Sequence, residues 1–176
     1  MPIALPMPAG AAGRPPAQPW LDGADGPLPL GSLRPGVRLA DGAVVRWVGR
    51  RRLRAGPTAQ APIRLRRGAL GPGVPSADVT LSPEQPVQPG ANRPPVPARA
   101  LLGRPGIAPV VAGDMLFVHA IFARPTTIRV NDCPVYGATL DDLATSASPN
   151  AGRTELLRLF PELVTLKAAR PVPATA

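Results

Sequence analysis

A chain of 176 residues with 27 prolines, 18 glycines and a net charge of +9 has room for one ordinary domain once its proline-dense ends are set aside. Its single histidine, His119, and single cysteine, Cys133, exclude an intrachain disulfide and leave at most one thiol–imidazole pair for nucleophilic chemistry. A zinc site needs three or four suitable ligands, so no metal is expected, and no cofactor motif occurs.

Residues 1 to about 30 are rich in proline and poor in large side chains, and read as an extended tail. Their apolar runs are cut by prolines and lack a basic leader, which argues against a secretory signal. No stretch reaches the roughly 20 apolar residues needed to cross a bilayer. No membrane contact and an intracellular, monomeric protein are the resulting expectations.

From Leu33 the texture changes. Leu33-Arg-Pro-Gly36 signals a turn, and Val37 to Ala40 predicts a short strand closed by Asp41-Gly42. In the strand predicted over 43–54, Val45 and Trp47 share one face, while Val44, Arg46, Val48 and Arg50 share the other. Ile63-Arg-Leu-Arg66 and Asp78-Val-Thr-Leu-Ser82 repeat the alternation, with a turn at Gly71-Pro-Gly73 between them. Residues 83–99 read as a long irregular connection. Met115 to Phe122 and Thr126 to Val130, ahead of Asn131-Asp132, read as a hairpin-like pair. The only helical stripe comes last: after cap candidates Asn150 and Thr154, it takes Leu156, Leu157, Leu159, Phe160 and Leu163, interrupted by Pro161. Many short strands, no internal repeat and one late helix predict an all-β fold.

The order of these segments is similar to a known pattern. Leu33-Arg-Pro-Gly36, Arg46-Trp-Val-Gly-Arg-Arg-Arg-Leu53, Pro62-Ile-Arg-Leu-Arg-Arg-Gly-Ala-Leu-Gly71, Val79-Thr-Leu-Ser-Pro-Glu84, Phe117-Val-His-Ala-Ile-Phe122 and Glu155-Leu-Leu-Arg-Leu-Phe-Pro-Glu-Leu163 together resemble the bacterial Hint (Hedgehog/intein-type) domain. The resemblance spans about residues 30–165. It implies a horseshoe of short antiparallel strands, with a proline-rich tail over 1–30, the Hint-like domain over 31–166 and a C-terminal tail over 167–176.

The resemblance also implies self-processing, in which a cysteine attacks the preceding carbonyl and a histidine of a Ser/Thr-x-x-His block assists. This chain departs from that pattern. Residues 1–32 contain no cysteine, Gln85 stands where the block Ser82-Pro83-Glu84-Gln85 should end in histidine, and Ala123 and Pro125 replace a later Asp and His. Glutamine donates hydrogen bonds but does not exchange a proton near neutral pH. His119, Asn131 and Cys133 are the remaining weak candidates, with Asp132 at a family glycine. Their residue types better suit a strand histidine, a turn former and a small buried hydrophobe.

Three readings follow: a non-catalytic Hint scaffold that binds another protein, an arginine-dependent binder of nucleic acid or another polyanion, and a cysteine enzyme pairing Cys133 with His119. For the second, Arg46, Arg50, Arg51, Arg52, Arg54, Arg64, Arg66 and Arg67 place eight arginines within 22 residues. Against it, Tyr136 is the only tyrosine, stacking residues are scarce, and 19 of the 20 basic residues are arginine, a skew that GC-rich coding bias also produces. A solvated sheet face is therefore preferred to a nucleic-acid site. Asp141-Asp142 reads as a loop turn, and Glu155 and Glu162 as helix-face charges.

Overall fold

The computed structural model describes residues 3–6, 19–56, 60–111, 113–144 and 151–166. Strands dominate: β1 (Ile3–Pro6), β2 (Trp20–Gly23), β3 (Gly26–Pro29), β4 (Val45–Ala55), β5 (Ile63–Leu65), β6 (Val79–Leu81), β7 (Pro86–Val87), β8 (Val96–Pro97), β9 (Ile107–Pro109), β10 (Gly113–Phe122), β11 (Thr126–Val130) and β12 (Cys133–Thr139). Three short helices come last, α1 (Leu140–Ala144), α2 (Ala151–Leu159) and α3 (Leu163–Leu166). The strands form one curled sheet in the order β3-β2-β11-β12-β10-β1-β6-β5-β9, with β4 on β10 and β7 on β12 and β8. The fold is all-β and Hint-like, with a short helical cover.

β10 organises the molecule because its sequence is apolar on both faces. Its even positions, Leu116, Val118, Ala120 and Phe122, face the main core with Leu21, Leu30, Leu33, Leu65, Leu81 and Val135. Its odd positions face the other way: Ile121 joins Leu156, Leu159, Phe160 and Leu163 from the helical segment, and Met115 and Phe117 form a third small cluster with Leu53. A strand covered on both sides reads as a continuous hydrophobic run, and that is how residues 115–122 read.

Several expectations need correction. Residues 115–122 do not pair with 126–130. β10 runs antiparallel to β4 and β1 and parallel to β12, while β11 forms its hairpin with β12 across Asn131-Asp132. The strand over 43–54 forms, but a register shift opposite Ile121 and Phe122 breaks its face: Val45 enters the main core, whereas Trp47 packs on the helical cluster. The short strand expected at 37–40 reduces to two isolated bridges, Arg38–Val44 and Leu39–Gly23, beside the Asp41-Gly42 turn.

The expected tail over 1–30 gives way from Pro19 onward to the β2–β3 hairpin, which seats Leu21 and Leu30 in the core. β1 pairs with both β10 and β6, while residues 1–2 and 7–18 lie outside the described residues, as do Asn150 and the tail over 167–176. Residues 83–99 are mainly irregular but contribute the two-residue strands β7 and β8. Thr154 is inside α2 rather than capping it. Asp141-Asp142 forms the first turn of α1. There Asp142 accepts hydrogen bonds from the Thr139 N–H (2.7 Å) and hydroxyl (2.9 Å), and its own N–H donates to Thr139 Oγ1 (3.2 Å), a reciprocal cap.

Candidate functional site

The Ser82–Gln85 block leaves β6 and turns beneath the sheet, and both end residues are buried. Gln85 Nε2 donates to the carbonyls of Tyr136 (2.9 Å) and Pro86 (3.1 Å), so both amide hydrogens are committed to backbone. Its Oε1 is buried with no hydrogen-bond partner among the described residues. It borders a small interior void lined also by Leu30, Leu33, Val118, Phe122 and Ile128. Gln85 thus ties β7 to β12 without offering an exchangeable proton.

Ser82 points elsewhere. Its hydroxyl donates to the Glu155 carboxylate on α2, and its Oγ accepts from the Glu84 N–H (3.3 Å). Burial raises the Glu155 pKa above the ordinary carboxylate value, although the Ser82 hydrogen bond works in the opposite direction. Glu155 is 5% exposed, so its expected place on a solvent-facing helix surface is corrected. Sequence periodicity held the signal: Glu155 and Leu159 are four residues apart on α2 and share its buried face.

His119 lies on the odd face of β10, opposite Gly49 of β4. Its ring centroid is 6.0 Å from both Trp47 and Phe160, which meet each other edge-to-face at 5.3 Å. A Cβ on Gly49 would lie 2.2 Å from the Trp47 ring and 2.6 Å from Phe160, so glycine is what admits the three rings. Arg51 closes the cluster. Its guanidinium carbon stands 5.7 Å from the Phe160 ring centre, while Nε donates to the Leu159 carbonyl (2.8 Å) at the end of α2 and Nη2 reaches Glu162 (3.5 Å).

Cys133 is fully buried in the main core at the start of β12, and burial pushes its thiol up to about 12. At that value the thiolate fraction at neutral pH is about one in 100,000. His119 belongs to the opposite face of the sheet, so the fold does not bring the two together in one cluster. Asn131 is built into the chain's own packing: its Oδ1 accepts from the Trp20 N–H (2.8 Å) and its Nδ2 donates to the Asp78 carbonyl (3.2 Å). Ala123 and Pro125 are exposed in the turn after β10.

The eight arginines separate into two groups. β4 carries Arg46, Arg50, Arg51, Arg52 and Arg54, whereas Arg64 is on β5, with β10, β1 and β6 between them. Four strand spacings put the groups roughly 19 Å apart. Arg64 is paired with Asp78, whose carboxylate also accepts from the Arg67 N–H (2.9 Å). Burial opposes it, but these hydrogen bonds hold the Asp78 pKa below its ordinary value. Arg50 donates to the Gly31 (3.1 Å) and Leu33 (2.5 Å) carbonyls. Arg46, Arg52, Arg54 and Arg66 are exposed, and none has a salt-bridge partner among the described residues.

Among the described residues there is no group of three or more His, Cys, Asp or Glu able to hold a metal ion, and no helix is long and apolar enough to cross a membrane. In comparisons with known proteins, the family model described as the Hint domain matches residues 19–139. No curated protein and no solved structure matches the chain.

Proposed function

The chain belongs to the Hint domain family, and from that premise we propose that it is a non-catalytic Hint scaffold, an interaction domain whose self-processing has been lost. The observation that carries this reading is the Ser82–Gln85 block. Hint-type cleavage needs a thiol nucleophile and a histidine that moves a proton. At the histidine position Gln85 spends its amide on two carbonyls, and Ser82 is taken up by Glu155 on the helical cover. In this chain both end residues of the block serve as structural ties. Cys133, held protonated in the core, and His119, enclosed by Trp47 and Phe160, support the same reading.

The test is intact mass over a day at neutral pH, with and without added thiol, on protein shown by circular dichroism to be folded. An unchanged mass is expected. A discrete fragment that forms only from folded protein overturns the proposal.

A second reading, binding of nucleic acid or another polyanion, is favoured by one observation: Arg46, Arg52 and Arg54 lie exposed along a single strand without a salt-bridge partner among the described residues. It predicts affinity that falls steeply with salt and is lost when Arg50, Arg51 and Arg52 are replaced together.

A further inference from the structure

β4 is eleven residues long and, among the described residues, hydrogen-bonds to one strand, β10. Its first residue, Val45, exchanges backbone hydrogen bonds with Gly36 and Val37, but from Trp47 onward no strand among the described residues lies on its outer edge. An edge of this length is a template for another chain unless something blunts it. Here the blunting feature is charge of one sign: Arg46, Arg52 and Arg54 stand exposed along it, with no acidic partner among the described residues.

An open backbone edge, and exposed cations along it with no acidic partner among the described residues, are complementary to one ligand chemistry. That ligand is extended and acidic.

We propose that β4 is a docking edge for an acidic peptide segment, which adds to the sheet as a further strand alongside Arg46, Arg52 and Arg54. Backbone pairing supplies affinity, and the arginines select carboxylate-bearing partners and set the register. This deepens the scaffold reading, on which it rests, by naming the surface and the partner class. Arg64 and Arg66 take no part, since three strands separate β5 from this edge.

The experiment is fluorescence anisotropy with a labelled decapeptide alternating glutamate and valine. Two competitors are used: the same peptide N-methylated at every second residue, and a single-stranded oligonucleotide of equal charge. Binding is expected to the first peptide, with at least a tenfold loss on N-methylation and a similar loss in an Arg52→Ala/Arg54→Ala double variant. Arg93→Ala, exposed in the 83–99 connection, should leave it unchanged. Absence of binding, indifference to N-methylation, or tighter binding of the oligonucleotide each overturns the proposal, the last in favour of a general polyanion surface. Intact mass recorded on the same samples separates the two failures, because a cleavage product sinks the scaffold reading whatever the peptide does.

Discussion

At the scale of single residues, Asn131 and Asp132 show how the sequence writes a turn. Both have positive φ, 48° and 61°, the pair of values a two-residue hairpin loop requires. Asn131 accepts the strain and repays it with two side-chain hydrogen bonds that tie β2 and the start of β6 to the turn. Asp132 is exposed and has no such return. The two positions therefore respond oppositely to glycine. Asp132→Gly relieves about 1 kcal/mol of left-handed strain against a similar entropic cost, so denaturant titration should show a change within about 0.5 kcal/mol. Asn131→Gly relieves the same strain but removes the part-buried hydrogen bonds to the Trp20 N–H and the Asp78 carbonyl, and should cost about 1–2 kcal/mol. Equal effects at the two positions would mean that the Asn131 side chain ties nothing together.

At the scale of elements, strands with an alternating pattern were legible in the sequence: β4, β5 and β6 lie where period-two hydrophobicity puts them. β12 was not, because Pro134 and Gly137 interrupt it with strand-breaking residues. The structure gives the reason for the second: a Cβ at Gly137 would meet the Phe122 ring at 2.7 Å, a contact between strands distant in sequence. The β2–β3 hairpin was hidden by its prolines and glycines in the same way. In the candidate site the departures from the family pattern were readable one residue at a time, whereas the Ser82–Glu155 tie joins positions 73 apart and has no local signature. That tie has a pH consequence for α2. Because burial raises the folded-state pKa of Glu155 above its unfolded value, the proton is held more tightly in the folded protein. Its contribution is fully present below the ordinary carboxylate range and is lost as pH rises through the folded pKa. Asp41 and Asp78, both with lowered pKa, act with the opposite sign at the acid end. Stability measured from pH 4 to 8 should therefore carry a downward component that Glu155→Gln removes. A wild-type profile that superimposes on that of the variant would show that Glu155 does not couple to folding.

At the scale of the whole molecule, β10 divides two apolar bodies. One face is sealed by strands contributed from Leu21 to Val135, a core assembled from much of the chain. The other is sealed by the short helical cover from Leu156 to Leu163, resting on Trp47, Ile121 and His119. Arg51 and Glu155 are the polar ties of that cover, one to the end of α2 and one to β6. A small cluster held by few contacts opens before a large one, so the helical cover should be the first part of the protein to leave. Phe160, fully buried and in contact with both the Trp47 and His119 rings, is the side chain whose loss tests this, with an expected cost of about 3–5 kcal/mol for Phe160→Ala. In a Trp20→Phe background, which leaves Trp47 as the sole tryptophan, the variant should show red-shifted emission under native conditions while the far-ultraviolet sheet signal persists. If emission and sheet signal are instead lost together, at one denaturant concentration, the cover and the sheet are a single cooperative unit and β10 transmits the loss from one face to the other.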